Sequence, residues 1–345
     1  MQKEILRLLD ANLNRSREAL RVLEDYARFV LNHPEYTELL KVLRHRLERC
    51  LHGFGLELLA NRASDRDVGV KIDLSTKRPY SSELELVGSN FKRLQESLRS
   101  MEEYVRLKGV GVSNRLQQIR FKLYALEKDL LARLSKARRL SRARLYVIIS
   151  EGISPLTPQK IAREVILGGA DVIQLRYSSI PDRKLVRIAR QIKEIGDPKG
   201  VILIINNRPD LVQATGADGV HLGQDDLPVH QARRILGEHR FIGVSTHHVT
   251  EAMHAIAQGA DYISVGPIFP SPTKPKLKPT GFRYLRQVIR MGPQIPFFCI
   301  GGITLQNIEG LLKTGARRVA ISSGIIGGSD IRGLAKKFKD VVCAV

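Results

Sequence analysis

Hydrophobic positions in the first part of the chain recur at helical spacing. Leu6, Leu9, Leu13, Leu20, Leu23, Ala27 and Val30 fall on one face of a 3.6-residue repeat, and Leu39, Leu43 and Leu47 resume it after His33-Pro34 breaks the run. Gly53, Gly55 and the polar stretch from Asn61 to Ser82 predict a long loop. The helical period returns through Leu94, Leu98, Met101 and Val105. After Gly109-Val-Gly-Val-Ser113 it continues through Leu116, Ile119, Leu123, Leu126 and Leu130. Residues 1–140 therefore read as an all-α domain.

After Leu145 the pattern changes to short β-rich runs alternating with helical segments, the mark of repeated βα units around a parallel sheet. The runs are Leu145 to Ser150, Asp171 to Arg176, Val201 to Asn206, Gly219 to Gly223, Phe241 to Thr246, Tyr262 to Gly266, Pro296 to Gly301 and Arg318 to Ser323. Eight strands with helices between them in about 200 residues predict a compact (β/α)8 TIM barrel over 141–345. A doubly wound open sheet is the alternative, but no glycine-rich dinucleotide turn follows the first strand. Between the two domains, six basic residues from Arg133 to Arg144 occur without an acid. The run is short and lacks interleaved aromatics, so it reads as the solvated end of a linker helix rather than a nucleic-acid or membrane-facing arm.

Charge widens the field of ligands. Lys and Arg number 56 against 35 Asp and Glu, a formal net charge of +21, and the excess lies in both halves. Such a protein favours anionic partners, be they nucleic acid, an acidic membrane surface or polyphosphate metabolites, and charge does not choose among them; the short, aromatic-free basic run is what disfavours nucleic acid. Cys50, Cys299 and Cys343 lack disulfide or metal-ligand spacing, and no apolar run approaches membrane-spanning length. These features predict a cytoplasmic protein without a membrane partner; a homo-oligomer is compatible with them.

In a barrel of this kind the site gathers at the carboxyl ends of the strands. Those ends carry Gln174-Leu-Arg176, Asn206-Asn207, Gln224-Asp-Asp226, Ser245-Thr-His-His248, Gly266 to Lys274, Gly301-Gly302 and Ser322-Ser-Gly324. The last two form the phosphate cradle common in such barrels, with close-approaching amides and hydroxyls. Arg176 and Lys274 supply cations, and Asp226, with Asp225 as a second candidate, supplies oxygen ligands for Mg2+. Cations, carboxylates and a cradle in one cavity point to a diphosphate substrate beside a monophosphate one. His247 and His248 read as loop or rim histidines, His221 as a satisfied interior histidine and Cys299 as core.

Taken in order, these strand ends resemble thiamine phosphate synthases. The resemblance runs from Leu145 nearly to the C-terminus and rests on Ala217-Asp-Gly-Val-His-Leu-Gly-Gln-Asp-Asp226, Gly266-Pro-Ile-Phe-Pro-Ser-Pro-Thr-Lys274 and Ile300-Gly-Gly-Ile303. It implies condensation of 4-amino-2-methyl-5-(diphosphooxymethyl)pyrimidine with a thiazole phosphate, releasing diphosphate with Mg2+ as cofactor. By position, Gln174 would touch the pyrimidine and Ser245 would sit near its ring. Arg176, Asn206 and Lys274 would hold the diphosphate, Arg176 and Lys274 acting as catalytic cations. Ser271, Thr273, Gly302, Ser322 and Ser323 would meet the thiazole phosphate. Asp226 would ligate Mg2+ together with Asn207, which stands where the family usually has a carboxylate. Tyr177 and Ser178 likewise replace an acid and a lysine usual in the family. A thiazole tautomerase-like enzyme and a non-catalytic phosphate-metabolite-binding or regulatory barrel are the other readings. The helical half, clearest in Asn14-Arg-Ser-Arg-Glu-Ala-Leu-Arg-Val-Leu-Glu-Asp25, resembles an extra domain preceding the barrel in some bacterial members. Its own role reads first as packing or self-association, with ligand sensing second.

Overall fold

A computed structural model describes residues 2–62, 78–271 and 277–344 of the chain. The chain divides into two compact units, Met1–Ser135 and Lys136–Val345. The first contains helices α1 (Lys3–Asp25), α2 (Pro34–Leu51), α3 (Gly55–Ala60) and α4 (Glu83–Val105), and most of α5 (Val110–Arg142). Leucines one helical turn apart form its core, with Leu9, Leu20, Leu23, Leu40, Leu43, Leu47, Leu94 and Leu98 all fully buried. Each contributes roughly 1.5–3 kcal/mol relative to exposure. The Arg120 guanidinium, buried beside this core, donates to both oxygens of Glu102 at 2.6 and 2.9 Å.

Two expected core positions are displaced from the helical phase. Residues Tyr26–Val30 form a π turn in which the Leu31 amide reaches back to the Tyr26 carbonyl. The wider turn rotates the following side chains outward, so Val30 is 57% exposed. In α2 the buried stripe runs through Leu40 rather than Leu39, because Pro34 starts the helix and Tyr36 takes its first inward position. The loop expected from Gly53 is also partly helical, since α3 is anchored by the buried Leu58. Residues 63–77 of that loop lie outside the described residues.

The second unit is a closed parallel barrel in strand order β1 to β8. Its strands are β1 (Leu145–Ser150), β2 (Val172–Arg176), β3 (Ile202–Asn206), β4 (Gly219–Leu222), β5 (Phe241–Thr246), β6 (Tyr262–Val265), β7 (Phe297–Ile300) and β8 (Val319–Ile321). The helices that follow them are α6 (Pro158–Leu167), α7 (Asp182–Gly196), α8 (Pro209–Thr215), α9 (Val229–Leu236), α10 (Val249–Ala257), α11 (Gly281–Met291), α12 (Ile308–Leu312), α13 (Ser323–Ile326) and α14 (Ile331–Cys343). Every strand falls within its predicted run. Alternate residues such as Val147, Ile149, Ile173 and Leu175 pack outward with the helices, whereas Tyr146, Val172, Ile204, Phe241, Tyr262 and Phe298 fill the interior.

The basic run at the end of α5 is only partly solvated. Leu140 and Ala143 join the interior cluster of the barrel. Lys136, only 7% exposed, pairs with Asp261 at 2.7 Å and donates to the Glu238 and Arg240 carbonyls. Arg139 pairs with Asp218 at 3.0 Å, and that carboxylate also accepts from Lys193 and the Leu203 amide. Burial lowers the Lys136 ammonium from its ordinary pKa, and Asp261 opposes the shift. Lys136 and Arg139 therefore satisfy carboxylates and carbonyls at strand entries, while Arg138 and Arg142 are exposed. The opposite ends of the strands are left to form the mouth.

Candidate active site

Above the interior aromatics, the strand ends enclose a cleft of about 690 Å³, open space included. Its polar lining brings together Arg176 from β2, Ser245 and His247 from the end of β5, Ser271 after β6, Gly302 after β7 and Ser322 and Ser323 after β8. Ile148, Ile300, Ile303 and Ile321 supply apolar wall. Thr273 and Lys274 lie outside the described residues.

The β7 and β8 turns explain the glycines. Gly301 and Gly302 have φ of +98° and +60°, a left-handed backbone that strains other residues. A Cβ on Gly302 would stand 2.3 Å from the Pro270 carbonyl oxygen, so the segment after β6 packs directly on this turn. The Asn307 amide donates to the Gly302 carbonyl at 2.8 Å and fixes it. On the other side, Ser322 donates its hydroxyl proton to the Ile148 carbonyl at 2.9 Å. Ser323 then opens α13, whose first amides have no intrahelical acceptor. Paired turns of this kind suit the oxygens of a phosphate.

Among the described residues, no hydrogen-bond or ion-pair partner engages the half-buried Arg176 guanidinium, which faces the same cleft. The next residues depart from the expected acid and lysine. Tyr177 packs against the outer core, while the amides and hydroxyls of Ser178 and Ser179 donate to the Glu151 carboxylate after β1. Those bonds, led by the Ser179 hydroxyl, hold Glu151 below the ordinary carboxylate range. Glu151 gave no signal in the sequence beyond that of any loop acid.

Gln174 and Asn206 are placed deeper, outside the lining of the cleft. Gln174 Nε2 donates to Asn206 Oδ1 at 2.7 Å, and Tyr146 donates to Gln174 Oε1 at 3.1 Å. Tyr146 and Tyr262 then meet hydroxyl to hydroxyl at 3.1 Å. His221 closes the chain, with Nδ1 3.2 Å from Tyr262 and Nε2 3.0 Å from the Ser245 hydroxyl. Burial raises both tyrosines above their ordinary pKa, so they stay protonated. Gly243 makes the arrangement possible, because a Cβ there would fall 2.0 Å from the Tyr262 ring. His221 is the satisfied interior histidine expected from its alternation. The two tyrosines were hidden among ordinary strand apolars.

Asn207 and Asp226 both attach to the end of β4. The Asn207 amide donates to the His221 carbonyl at 2.9 Å, and Asp226 Oδ2 accepts from the Gly223 amide at 2.5 Å. Asp226 borders a separate hollow with Glu251 and His254 rather than the Arg176 cleft. Among the described residues, no cluster of three or more His, Cys, Asp or Glu side chains is arranged to hold a metal.

The adjacent histidines differ from each other. His248 is exposed at the rim and pairs with Glu251 at 2.9 Å, whereas His247 faces the cleft with Nδ1 2.6 Å from the Gly266 carbonyl. Both lie in the loop after β5, as expected; the Glu251 carboxylate accepts from the His247 amide. Cys299 is fully buried, and burial raises its thiol pKa, as a core cysteine requires.

Residues 145–325 match the family model described as thiamine monophosphate synthase, and residues 7–129 match the ThiD2 family model. The thiamine-phosphate synthase of Gloeobacter violaceus is 37% identical over 330 residues, covering 95% of this chain and 94% of that protein. That of Rhodopirellula baltica is 35% identical over 350 residues, covering 99% and 93%. A solved structure of thiamine phosphate pyrophosphorylase from Pyrococcus furiosus superposes with a TM-score of 0.55 at 30% identity, covering 60% of this chain and 98% of that one. The curated relatives thus match both the helical and the barrel halves.

Proposed function

The chain belongs to the thiamine monophosphate synthase family, a family of transferases, and we propose that its coupling reaction takes place in the cleft faced by Arg176, Ser245 and the β7 and β8 turns. The reaction joins 4-amino-2-methyl-5-(diphosphooxymethyl)pyrimidine to a thiazole phosphate and yields thiamine phosphate and diphosphate. One observation carries the assignment to this cleft: an arginine with no carboxylate partner among the described residues shares it with a two-turn phosphate cradle. A barrel that only bound a monophosphate would need the cradle alone.

In this reading Gly302, Ser322, Ser323 and Ser271, with Thr273, hold the thiazole phosphate. Gln174 and Ser245 orient the pyrimidine, while Arg176, Asn206 and Lys274 engage its diphosphate. The bond between the methylene carbon and the diphosphate oxygen breaks first, and its electron pair leaves with diphosphate. The aminopyrimidine delocalises the resulting cation until the thiazole nitrogen supplies the pair for the new C–N bond. Arg176 and Lys274 stabilise charge as it develops on the leaving oxygen, so no general base is required.

Asp226 and Asn207 would be the protein ligands of a weak Mg2+ site, with Asp226 bordering the hollow beside the Arg176 cleft. Both attach to the end of β4, and Asp226 Oδ2 is engaged by an amide while Oδ1 has no recorded partner among the described residues. Mg2+ takes one or two carboxylates plus substrate phosphates, so a carboxylate and an amide oxygen meet that pattern with one negative charge fewer. When bound, Mg2+ would supply charge neutralisation of the diphosphate. Cys50, Cys299 and Cys343 are free thiols, and no helix among the described residues is long and apolar enough to cross a membrane. These features support a cytoplasmic enzyme.

Purified protein given both substrates and Mg2+ should form thiamine phosphate, followed by chromatography. No product over a broad Mg2+ range would sink the coupling reading.

A further inference from the structure

The strand entries, at the end of the barrel opposite the cleft, pair cations with carboxylates. Lys136 and Arg233 meet Asp261, Arg139 and Lys193 meet Asp218, and Lys339 meets Asp171. Arg144 and Arg318 break that pattern. They stand side by side where β8 closes on β1, since Leu145 pairs with Val319 and the Val319 amide donates to the Arg144 carbonyl at 3.0 Å. Both are half-buried, and among the described residues neither guanidinium has a carboxylate partner. Asp171 is already taken: it accepts from the Arg144 and Leu145 amides and from Lys339 Nζ at 2.5 and 2.6 Å.

Alternation along the strands sets their direction. Leu145 and Val319 pack with the outer helices, whereas Tyr146 and Ala320 belong to the interior cluster with Leu140 and Ala143, so Arg144 and Arg318 share the interior phase. Arg318 Nη2 donates to the Ser141 carbonyl at 2.8 Å, which ties its guanidinium to the end of α5. Its Nε is buried with no acceptor. Burial, and after it the nearby Arg144, lower the Arg318 pKa from its ordinary value, yet a guanidinium stays charged near neutral pH. Two like charges therefore lie together at the barrel floor, and one of them has a donor that has lost water without gaining a partner. Closing the strands does not require this: an acid or an apolar residue at either position would remove the repulsion. The exposed Arg142 and Arg317 stand close by in the chain.

We propose that Arg144 and Arg318 form an anion site at the floor of the barrel that takes a phosphoryl oxyanion, separate from the substrate cleft at the mouth. A guanidinium presents its donors as a fork that matches two phosphoryl oxygens, and two adjacent forks suit a dianion or a more highly charged group. Arg318 is half exposed on a long side chain, so a turn of its Nε–Nη2 edge toward the anion gives the orphaned donor an acceptor. The surroundings suit a small anion rather than a polymer or a membrane. No aromatic or large apolar side chain is exposed along residues 136–144 or 315–319, whereas base stacking and lipid insertion use such groups. Free phosphate and diphosphate share the required chemistry, and the proposed coupling itself releases diphosphate.

Equilibrium dialysis of the full chain against labelled phosphate or diphosphate, without Mg2+ and at fixed ionic strength, tests the site. The wild type should hold diphosphate at the floor as well as at the mouth. Arg144→Gln and Arg318→Gln should each weaken the floor site by about tenfold or more, whereas Arg176→Ala should weaken only the mouth. Arg187→Gln removes an exposed charge on α7 and should change neither, which separates a site from the general field. Arg144→Lys keeps the charge but loses the fork. It should weaken the floor site several-fold with an unchanged urea midpoint, a result that unfolding cannot mimic. Diphosphate held at least tenfold more tightly than phosphate would identify a diphosphate ligand, and equal affinity a single phosphoryl group. Wild-type binding in both Arg144 variants, or loss of all binding in Arg176→Ala, would overturn the proposal. So would single-stranded RNA or phosphatidylglycerol vesicles binding through the same arginines with no diphosphate bound. Dialysis reads binding alone, so failure of the coupling reaction would be seen separately, in the product assay.

Discussion

Single side chains at the mouth determine how strongly this barrel can hold its substrates. Asn207 has φ of +61°, a backbone conformation that Asn and Asp tolerate better than most residues. Asn207→Asp should therefore fold normally and place a carboxylate at the position proposed as the second Mg2+ ligand. Its expected effect is a several-fold fall in the Mg2+ concentration giving half-maximal rate, read from a metal titration of thiamine phosphate formation. An unchanged requirement would remove position 207 from the metal site. After β1, the Glu151 carboxylate is partnered within the protein by the amides and hydroxyls of Ser178 and Ser179. The strand-end motifs made most of these residues legible in the sequence. Glu151, Tyr146 and Tyr262 were not, because their partners lie on strands far apart in sequence and only the closed register brings them together.

At the scale of elements, the period of the apolar residues was enough to find the eight strands and the helical half. What it missed was phase and termination. The π turn at Tyr26–Val30 moves Val30 outward, and nothing in a string of apolar residues announces a five-residue turn. The basic run at the end of α5 was misread for a related reason: Lys136 and Arg139 look solvated in isolation, yet their acids arrive from strand entries about a hundred residues later. Lys136→Ala would remove one donor from the Glu238 and Arg240 carbonyls and one cation from Asp261, although Arg233 still donates to the Arg240 carbonyl and pairs with Asp261, both at 2.7 Å. The substitution should cost about 2–3 kcal/mol of barrel stability, less than a fully broken buried pair. Urea titration of the full chain would read this as a lower midpoint for the barrel signal, and an unchanged midpoint would mean that the contact contributes nothing.

Across the whole molecule, every described residue assigned to the coupling lies in the unit Lys136–Val345. Deleting residues 1–130 should therefore preserve thiamine phosphate formation within a few-fold. Deleting residues 1–141 should not, because it also removes Lys136, Arg139 and the Leu140 plug from the barrel. Equal loss in both truncations would show that the helical unit takes part in the reaction itself. The net charge of +21 suits an enzyme whose two substrates are anions, since a positive field raises their encounter rate. The central claim, that this cleft stabilises departing diphosphate beside a cradled thiazole phosphate, comes down to Arg176. Steady-state rates of thiamine phosphate formation by the wild type and Arg176→Ala at saturating Mg2+ test it most directly. The account predicts a fall in kcat of about 10²-fold with little change in the KM for the thiazole phosphate. Wild-type turnover by Arg176→Ala would contradict it.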